Sequence, residues 1–398
     1  MKKIYDNIII GCGITGLTIA KLLSIKNIDY LIIDKNSSPG GRVSTDNTTD
    51  YSLDHGFQIL LEDYPNLKMF PEIIDSSFKK FKSGFIIKKN GNLYTVLNPL
   101  KNIRALFVQN TFPGFTLKDK VLLVKLILLS KNYENENVPV KSFLKNFGFS
   151  HIFIDDFFVS FFKGVFLDKN LNVPLKYFLF IFSLFSKSNI SIPTNGINQI
   201  VQKIIAQLDS SKRNLNKEVV SIGANSIKTK DGESFYFKKL FCTDSKVEKL
   251  IDKEFNQNFF KDISYNSTQC FYFLADIKDV DDSFIYLSPE SDNISNISLQ
   301  KVENEKFLIS VSCLSMETSK DTIEKEILSY FNNMKSIKFL KTFKIQNALP
   351  SNPKFFNFQE KSFYRYTNNI YFAGDFLSYP CLNGSIQSGI NLVESLES

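Results

Sequence analysis

The residues best suited to chemistry in this chain are two glycine clusters and the two charges beside them: Gly11-Cys12-Gly13-Ile14-Thr15-Gly16, Asp34, and Gly40-Gly41-Arg42. A Gly-x-Gly-x-x-Gly turn suits a pyrophosphate. Its first glycine allows the tight turn, its second lets the backbone approach the phosphates, and its third lets helix and strand pack closely. An acid 23 residues past Gly11 can accept hydrogen bonds from the ribose hydroxyls of an adenosine. The order of elements around these residues carries more weight than the motif itself. Asn7-Ile8-Ile9-Ile10 reads as an apolar strand, Leu17 to Leu23 as an apolar helix, and a second strand ends in Asp34. That is a βαβ unit with the helix N-terminus, and its positive dipole end, aimed at the phosphates.

Arg42 narrows the choice of dinucleotide. The chain holds four arginines (Arg42, Arg104, Arg213, Arg365) among 48 basic residues, so lysine serves wherever a plain charge is enough. An arginine in a glycine-rich loop points to the planar, two-pronged guanidinium that bidentate phosphate contact needs. Gly40-Gly41-Arg42 after an acid-terminated strand resembles the GGR of the flavoprotein group that contains amine oxidases, protoporphyrinogen oxidases and phytoene desaturases. The resemblance implies that Arg42 approaches an FAD pyrophosphate.

It continues in order along the chain. Asp54-His55-Gly56-Phe57-Gln58-Ile59 resembles the D-x-G element beside the isoalloxazine. Ile192-Pro193-Thr194-Asn195-Gly196-Ile197 is similar to a P-x-G-G-M turn, with Asn195 in place of the first glycine. Asn216 to Ile222, a hairpin turn at Asp231-Gly232 and a strand over Lys239 to Thr243 resemble the return to the nucleotide domain, where a backbone at the position of Val219 pairs with adenine. Ile370 to Asp375 and Asn383 to Gly389, leading into an amphipathic terminal helix, resemble the closing FAD segment. There a helix N-terminus stabilises negative charge on reduced flavin.

The resemblance therefore implies an α/β protein: a Rossmann-type, glutathione reductase-like FAD-binding domain interleaved with a substrate domain of antiparallel sheet plus helices. Residues 1–62, 190–245 and 368–398 fall to the FAD domain, and 63–189 and 246–367 to the substrate domain. FAD, held non-covalently, is the implied cofactor. Its implied contacts are Gly11, Gly13, Ile14, Thr15, Gly16, Asp34, Lys35, Gly41, Arg42, Gly56, Phe57, Gln58, Val219, Gly374, Asp375 and Leu382. Flavin accepts the hydride itself, so no catalytic acid or base is expected.

Composition limits the remaining classes. At 398 residues, 43% apolar and 22% charged, the chain has room for two intertwined domains and a large core. Its longest apolar stretch, Tyr177 to Phe185, is about half of a bilayer crossing. Met1-Lys2-Lys3 and the isoleucines after it are broken by Gly11 and Gly13, against a signal peptide. These features predict a cytoplasmic protein. The five cysteines (Cys12, Cys242, Cys270, Cys313, Cys381) stand singly and read as buried thiols. Two histidines, His55 and His151, argue against metal or Ser-His-Asp chemistry. The net charge of +7 comes from scattered lysines, which argues against nucleic-acid reading and leaves peripheral contact with anionic membranes open. Nothing in the sequence sets the oligomeric state.

The substrate region is the least explicit. Phe85 to Val96 reads as a hairpin around Asn90-Gly91. The pattern is helical from about 101 to 189, including Leu117 to Ser130 and Phe153 to Phe162. Runs such as Gln269 to Phe273 and Phe307 to Val311 predict a mostly antiparallel second sheet, followed by a helix around Ile323 to Asn332. Phe157 to Leu167 and Tyr177 to Phe182 carry more apolar surface than one helix pair needs. Read plainly they are core; read functionally they line a pocket for a long apolar substrate such as a polyene. Amine-oxidising members of the group place an aromatic residue where this chain has Cys381, three before Gly384, with Tyr379 two residues earlier. That departure, and the closer likeness of Asp54–Ile59 and Gly164–Leu167 to phytoene desaturases, favour dehydrogenation or isomerisation of a C–C bond. The alternatives are amine or protoporphyrinogen oxidation, and a non-catalytic carrier like the GDP-dissociation inhibitors.

Overall fold

Ile8 and Ile9 are wholly buried because the strand that carries them, Ile4–Ile10, lies at the centre of an eight-stranded sheet covered on both faces. In the computed structural model, which describes residues 3–74, 77–98, 101, 112–130, 138–303, 305–351 and 361–396, this strand pairs in parallel with Leu31–Ile33 on one side and Ser234–Cys242 on the other. Arg213–Asn214 extends the sheet beyond Leu31–Ile33, and Ile370–Ala373 joins the far end of Ser234–Cys242, again in parallel. Leu240 is thereby in register with both Ile8 and Ile370. The glycine loop, Thr243 and Gly374-Asp375 all follow the carboxyl ends of parallel strands, where open α/β sheets bind ligands. The sheet does not stop at 368: Phe363–Arg365 pairs antiparallel with Ile370–Ala373, and Ile222 bridges to Ile251.

The second sheet has seven strands: Met334–Pro350, Tyr265–Ile277, Lys306–Cys313, Ile294–Glu303, Ile285–Leu287, Gly84–Lys89 and Asn92–Leu97, in spatial order. It is antiparallel except where Ile285–Leu287 runs alongside Gly84–Lys89. The hairpin turns at Asn90-Gly91, both with positive φ, as a two-residue turn requires. The 17-residue strand Met334–Pro350 is the one large element that the sequence pattern did not announce.

Helices pack around these sheets. Leu117–Leu129 starts on a capping box, in which Thr116 and Asp119 bond each other's backbone N–H. Asp119 is fully buried and also accepts from the Ser150 N–H and hydroxyl. Burial alone would raise its pKa, but these bonds hold it below the usual value. The expected helix over Phe153 to Phe162 is present in three parts: one turn at His151–Phe153, a π-helical stretch over Ile154–Val159, and Ser160–Phe166. The terminal helix is Leu382–Glu394. Arg104 and most of 101–111, which the helical pattern included, lie outside the described residues.

One buried carboxylate joins the segment Asp54–Ile59 to the turn before Asn198–Ile205. Asp54 Oδ1 accepts from Thr45 Oγ1 at 2.6 Å and from the Ile197 N–H at 2.8 Å. A Cβ on Gly196 would lie 2.8 Å from the same oxygen, so the turn must be glycine there. Burial pushes the Asp54 carboxyl up to about 6, against the hydrogen bonds that lower it. A folded-state pKa above the unfolded one means stability that is complete below about pH 4 and lost as pH rises through 6. Asp54→Asn keeps the acceptor oxygen and removes the titration. Urea unfolding should show Asp54→Asn gaining on the wild type by on the order of 2–3 kcal/mol between pH 4 and pH 7; a pH-independent difference would refute this.

Candidate active site

The two glycine clusters form one floor. Gly11 (φ +108°) and Gly16 have no room for a side chain: a Cβ on Gly11 would lie 2.2 Å from Thr243 Oγ1, and one on Gly16 2.0 Å from the Gly11 carbonyl oxygen. Gly13 is different, since its Cβ would meet nothing nearer than the Gly40 carbonyl at 3.8 Å. Closed at its ends and open at its middle, the loop has the form that close backbone approach to a pyrophosphate requires. The Gly40 N–H bonds the Cys12 carbonyl at 2.8 Å, and the backbones of Gly13 and Gly40 bridge, so Gly41 lies against Gly13.

Asp34 follows the strand Leu31–Ile33 and is nearly buried. Its carboxylate accepts from the Cys12 N–H at 2.7 Å and the Asn36 N–H at 2.8 Å, one on each oxygen. The acid thus braces the glycine loop, a role that its spacing did not reveal, and each oxygen keeps a further lone pair for a ribose hydroxyl. Lys35 is exposed beside it. Val219 begins the strand Val219–Ile222, whose ladder is irregular between Val219 and Ser221, and the Lys217 N–H ties this segment to the Asp34 carbonyl.

Two helix starts converge above the floor. The helix Ile14–Ile25 and the terminal helix both lack a side-chain cap and any acid in the first turn. Thr15 Oγ1 donates to the Ser385 carbonyl at 3.1 Å, and a Cβ on Gly389 would press on Thr18. Since 15 meets 385 and 18 meets 389, the helices run parallel, with both positive ends at the same place. Ile14, Thr15 and Leu382 belong to these first turns, whose N–H groups have no partner within the helix.

Arg42 and Asp375 bind each other. Arg42 Nη2 lies 2.6 Å from Asp375 Oδ1, and Nη1 donates to the Ala348 carbonyl at 3.2 Å. The Asp375 side chain is 6% exposed and that of Arg42 42%, so the pair sits in the floor with the guanidinium at the surface. Gln58 Nε2 donates to the Arg42 carbonyl at 2.9 Å and the His55 carbonyl at 3.2 Å, linking the Gly56–Gln58 element to the same loop. Gly56 (φ +89°) faces Ile345, and Phe57 packs edge-on to Phe81. The Gly374 N–H is held by Ser388 Oγ at 2.6 Å. Sequence reasoning missed Asp244, whose charge reaches Arg42, although Asp244 follows a strand's carboxyl end much as Asp34 does.

Before the terminal helix, Cys381 is surrounded by tyrosines. Tyr64 shares a hydrogen bond with it, Tyr177 and Tyr379 stack at 5.1 Å, and Tyr177 OH donates to the Pro380 carbonyl at 2.8 Å. A Cβ on Gly384 would lie 1.9 Å from the Tyr379 carbonyl, so the loop closes only over glycine. Burial pushes the Cys381 thiol up to about 12 and Tyr64 and Tyr177 well above their usual value. Cys12, Cys242, Cys270 and Cys313 are free and buried.

Further into the substrate side lies a cavity of about 130 Å³, walled by the Gly84–Leu97 hairpin, the helix Leu117–Leu129, the segment Phe153–Phe162 and the helix Leu175–Lys187. Phe157, Phe161, Phe162, Phe182 and Phe185 face it, whereas Phe158, Phe166 and Phe178 are fully buried. The phenylalanines are therefore both core and lining. Among the described residues, Lys120 is the one charged side chain on its wall.

A family model described as flavin containing amine oxidoreductase matches residues 14–247. No curated protein sequence matches significantly. Among solved structures, a putrescine oxidase bound to putrescine superposes with a TM-score of 0.76 at 12% identity, with both chains covered fully. A CLA-producing fatty acid isomerase from P. acnes gives 0.72 at 15%, also over both full chains. A putative protoporphyrinogen oxidase from an Exiguobacterium species gives 0.72 at 14%, over all of this chain and 99% of that one. At such identities the structures speak for the fold alone. The family model runs across more than half of the sequence itself, and on that ground the chain belongs to the flavin containing amine oxidoreductases and is an FAD-dependent oxidoreductase.

Proposed function

We propose that this enzyme dehydrogenates or isomerises a C–C bond in a long hydrophobic substrate. The observation that carries the reading is a continuous aromatic path from the cavity to the loop before the terminal helix. Phe162, on the cavity wall, stacks on Phe166 at 5.5 Å; Phe166 meets Tyr177 at 5.0 Å, and Tyr177 meets Tyr379. Phe162 and the other rings that face the cavity suit an extended apolar chain and keep water from it, and the buried rings behind them join that wall to the loop. Bound FAD supplies the hydride-accepting chemistry. The protein's part is to hold the dinucleotide on the glycine floor, with Arg42 and the first helix start at the pyrophosphate and Asp375 at the ribityl chain, and to offer the terminal helix start to developing negative charge.

A second reading has its own support. Tyr64, Tyr177 and Tyr379 provide around Cys381 the aromatic surface that Cys381 itself lacks, and aromatic faces attract an amine cation. Against it, the described wall of the cavity carries Lys120 and no carboxylate, so a cationic substrate would meet a like charge there. Neutral or anionic substrates are favoured.

The cofactor assignment has direct tests. The purified protein should be yellow with about one FAD per chain, and denaturation should release it, because a thiol as high as that of Cys381 is a poor nucleophile at neutral pH. Arg42→Ala and Asp375→Ala should each weaken FAD binding by about 2 kcal/mol in titrations of apo-protein. Unchanged affinity in both would remove Arg42 and Asp375 from the cofactor site. For the reaction, oxidised enzyme mixed anaerobically with polyenes, unsaturated fatty acids, porphyrinogens and simple amines should show its flavin band bleach with unsaturated hydrocarbon chains. Rapid bleaching by amines, with polyenes and fatty acids inert, would transfer the assignment to amine oxidation.

A further inference from the structure

The helix Leu117–Leu129 separates the cavity from the outside. Its inner face buries Leu123, Leu126 and Ile127, two of which line the cavity. Its exposed residues are Leu117, Lys118, Val121, Lys125, Leu128 and Leu129, which at 100° per residue fall within a wedge of about 120°. Leu117, Val121 and Leu128 are 69%, 59% and 70% exposed and form a single stripe. With Leu129 and Ile152 they make five of the twelve large apolar side chains that the described surface exposes, so the exposure is concentrated here. A patch of this kind marks an interaction site.

We propose that this face docks the protein on a lipid bilayer that contains anionic lipids. The charge distribution selects that partner. The helix has one carboxylate, Asp119, and it is fully buried in the cap; every charge on the exposed wedge is positive. Lys118 and Lys125 lean to the same side, Lys118 Nζ near Gly148 and Lys125 Nζ 5.6 Å from the Phe147 ring, where Lys145 is also exposed. An apolar stripe with a lysine border lies in the interfacial plane of a membrane, its leucines in the acyl boundary and its ammonium groups among the headgroups. No helix among the described residues is long and apolar enough to cross a membrane, so the contact is peripheral. Docking would place the cavity wall against the phase in which hydrophobic molecules dissolve. That consequence rests on the proposed substrate class; the docking does not.

The test uses the FAD-loaded full chain. It should co-sediment with vesicles of phosphatidylcholine and phosphatidylglycerol at about 7:3, and at least about tenfold less with phosphatidylcholine alone. Val121→Glu/Leu128→Glu should abolish sedimentation while flavin content and absorbance stay unchanged. Lys118→Gln/Lys125→Gln should lower affinity about fivefold per charge removed. The chain has no tryptophan, so Val121→Trp gives a single reporter whose emission should shift to the blue on anionic vesicles. Sedimentation unaffected by Val121→Glu/Leu128→Glu, no tryptophan shift on vesicles, or a shift that appears without vesicles and grows with protein concentration (a face that pairs with a second copy) would each overturn the proposal. None of these readouts involves turnover, so they fail or succeed independently of the substrate assignment.

Discussion

Asp375 is a buried carboxylate at the end of the chain, and Arg42 is the cation that meets it, 333 residues away in sequence. A buried charge costs several kcal/mol unless it is paired and hydrogen-bonded, so this contact ties the closing segment to the first. Much else follows from it. The same closing segment goes on to start the terminal helix beside the first helix. Thr15 and Ser385, and Thr18 and Gly389, then set the helices parallel. Two helix starts in one place favour an anion there, and a dinucleotide's phosphates are such an anion.

The glycine loops obey a different constraint, which is space. Gly11 and Gly16 are required by the closeness of Thr243 and of the loop's own carbonyl, while Gly13 is required by what must approach it. Asp34 stiffens this floor through backbone N–H groups on both oxygens. A braced floor arrives at the cofactor already shaped, so less ordering opposes binding.

The phenylalanine-rich body shows how one residue type serves two ends. Phe158, Phe166 and Phe178 fill space between helices, and their neighbours Phe157, Phe161 and Phe182 face the cavity. Aromatic rings suit both tasks, because a few rigid torsions cover much area. The helix Leu175–Lys187 joins the two regions: Phe182 and Phe185 line the cavity, while Tyr177 and Phe180 press on Tyr379.

Gly11 to Arg42 and Ile370 to Gly389 were legible without coordinates because their function is local: a turn, a helix start and an acid work at fixed short spacing. The alternation in Gln269–Phe273 and Phe307–Val311 announced the second sheet for the same reason. Met334–Pro350 was not legible, since it lies at the edge of that sheet and carries Lys335, Lys338, Lys341 and Lys344, whose spacing of three hides a period of two. Edge strands are kept from pairing further by such lysines. The ring of Tyr64, Tyr177 and Tyr379 around Cys381 and the pairing of Arg42 with Asp375 belonged to the tertiary structure alone. They join segments that share no local pattern, and only the packing of the chain on itself determines which distant groups must neutralise, stack or exclude water together.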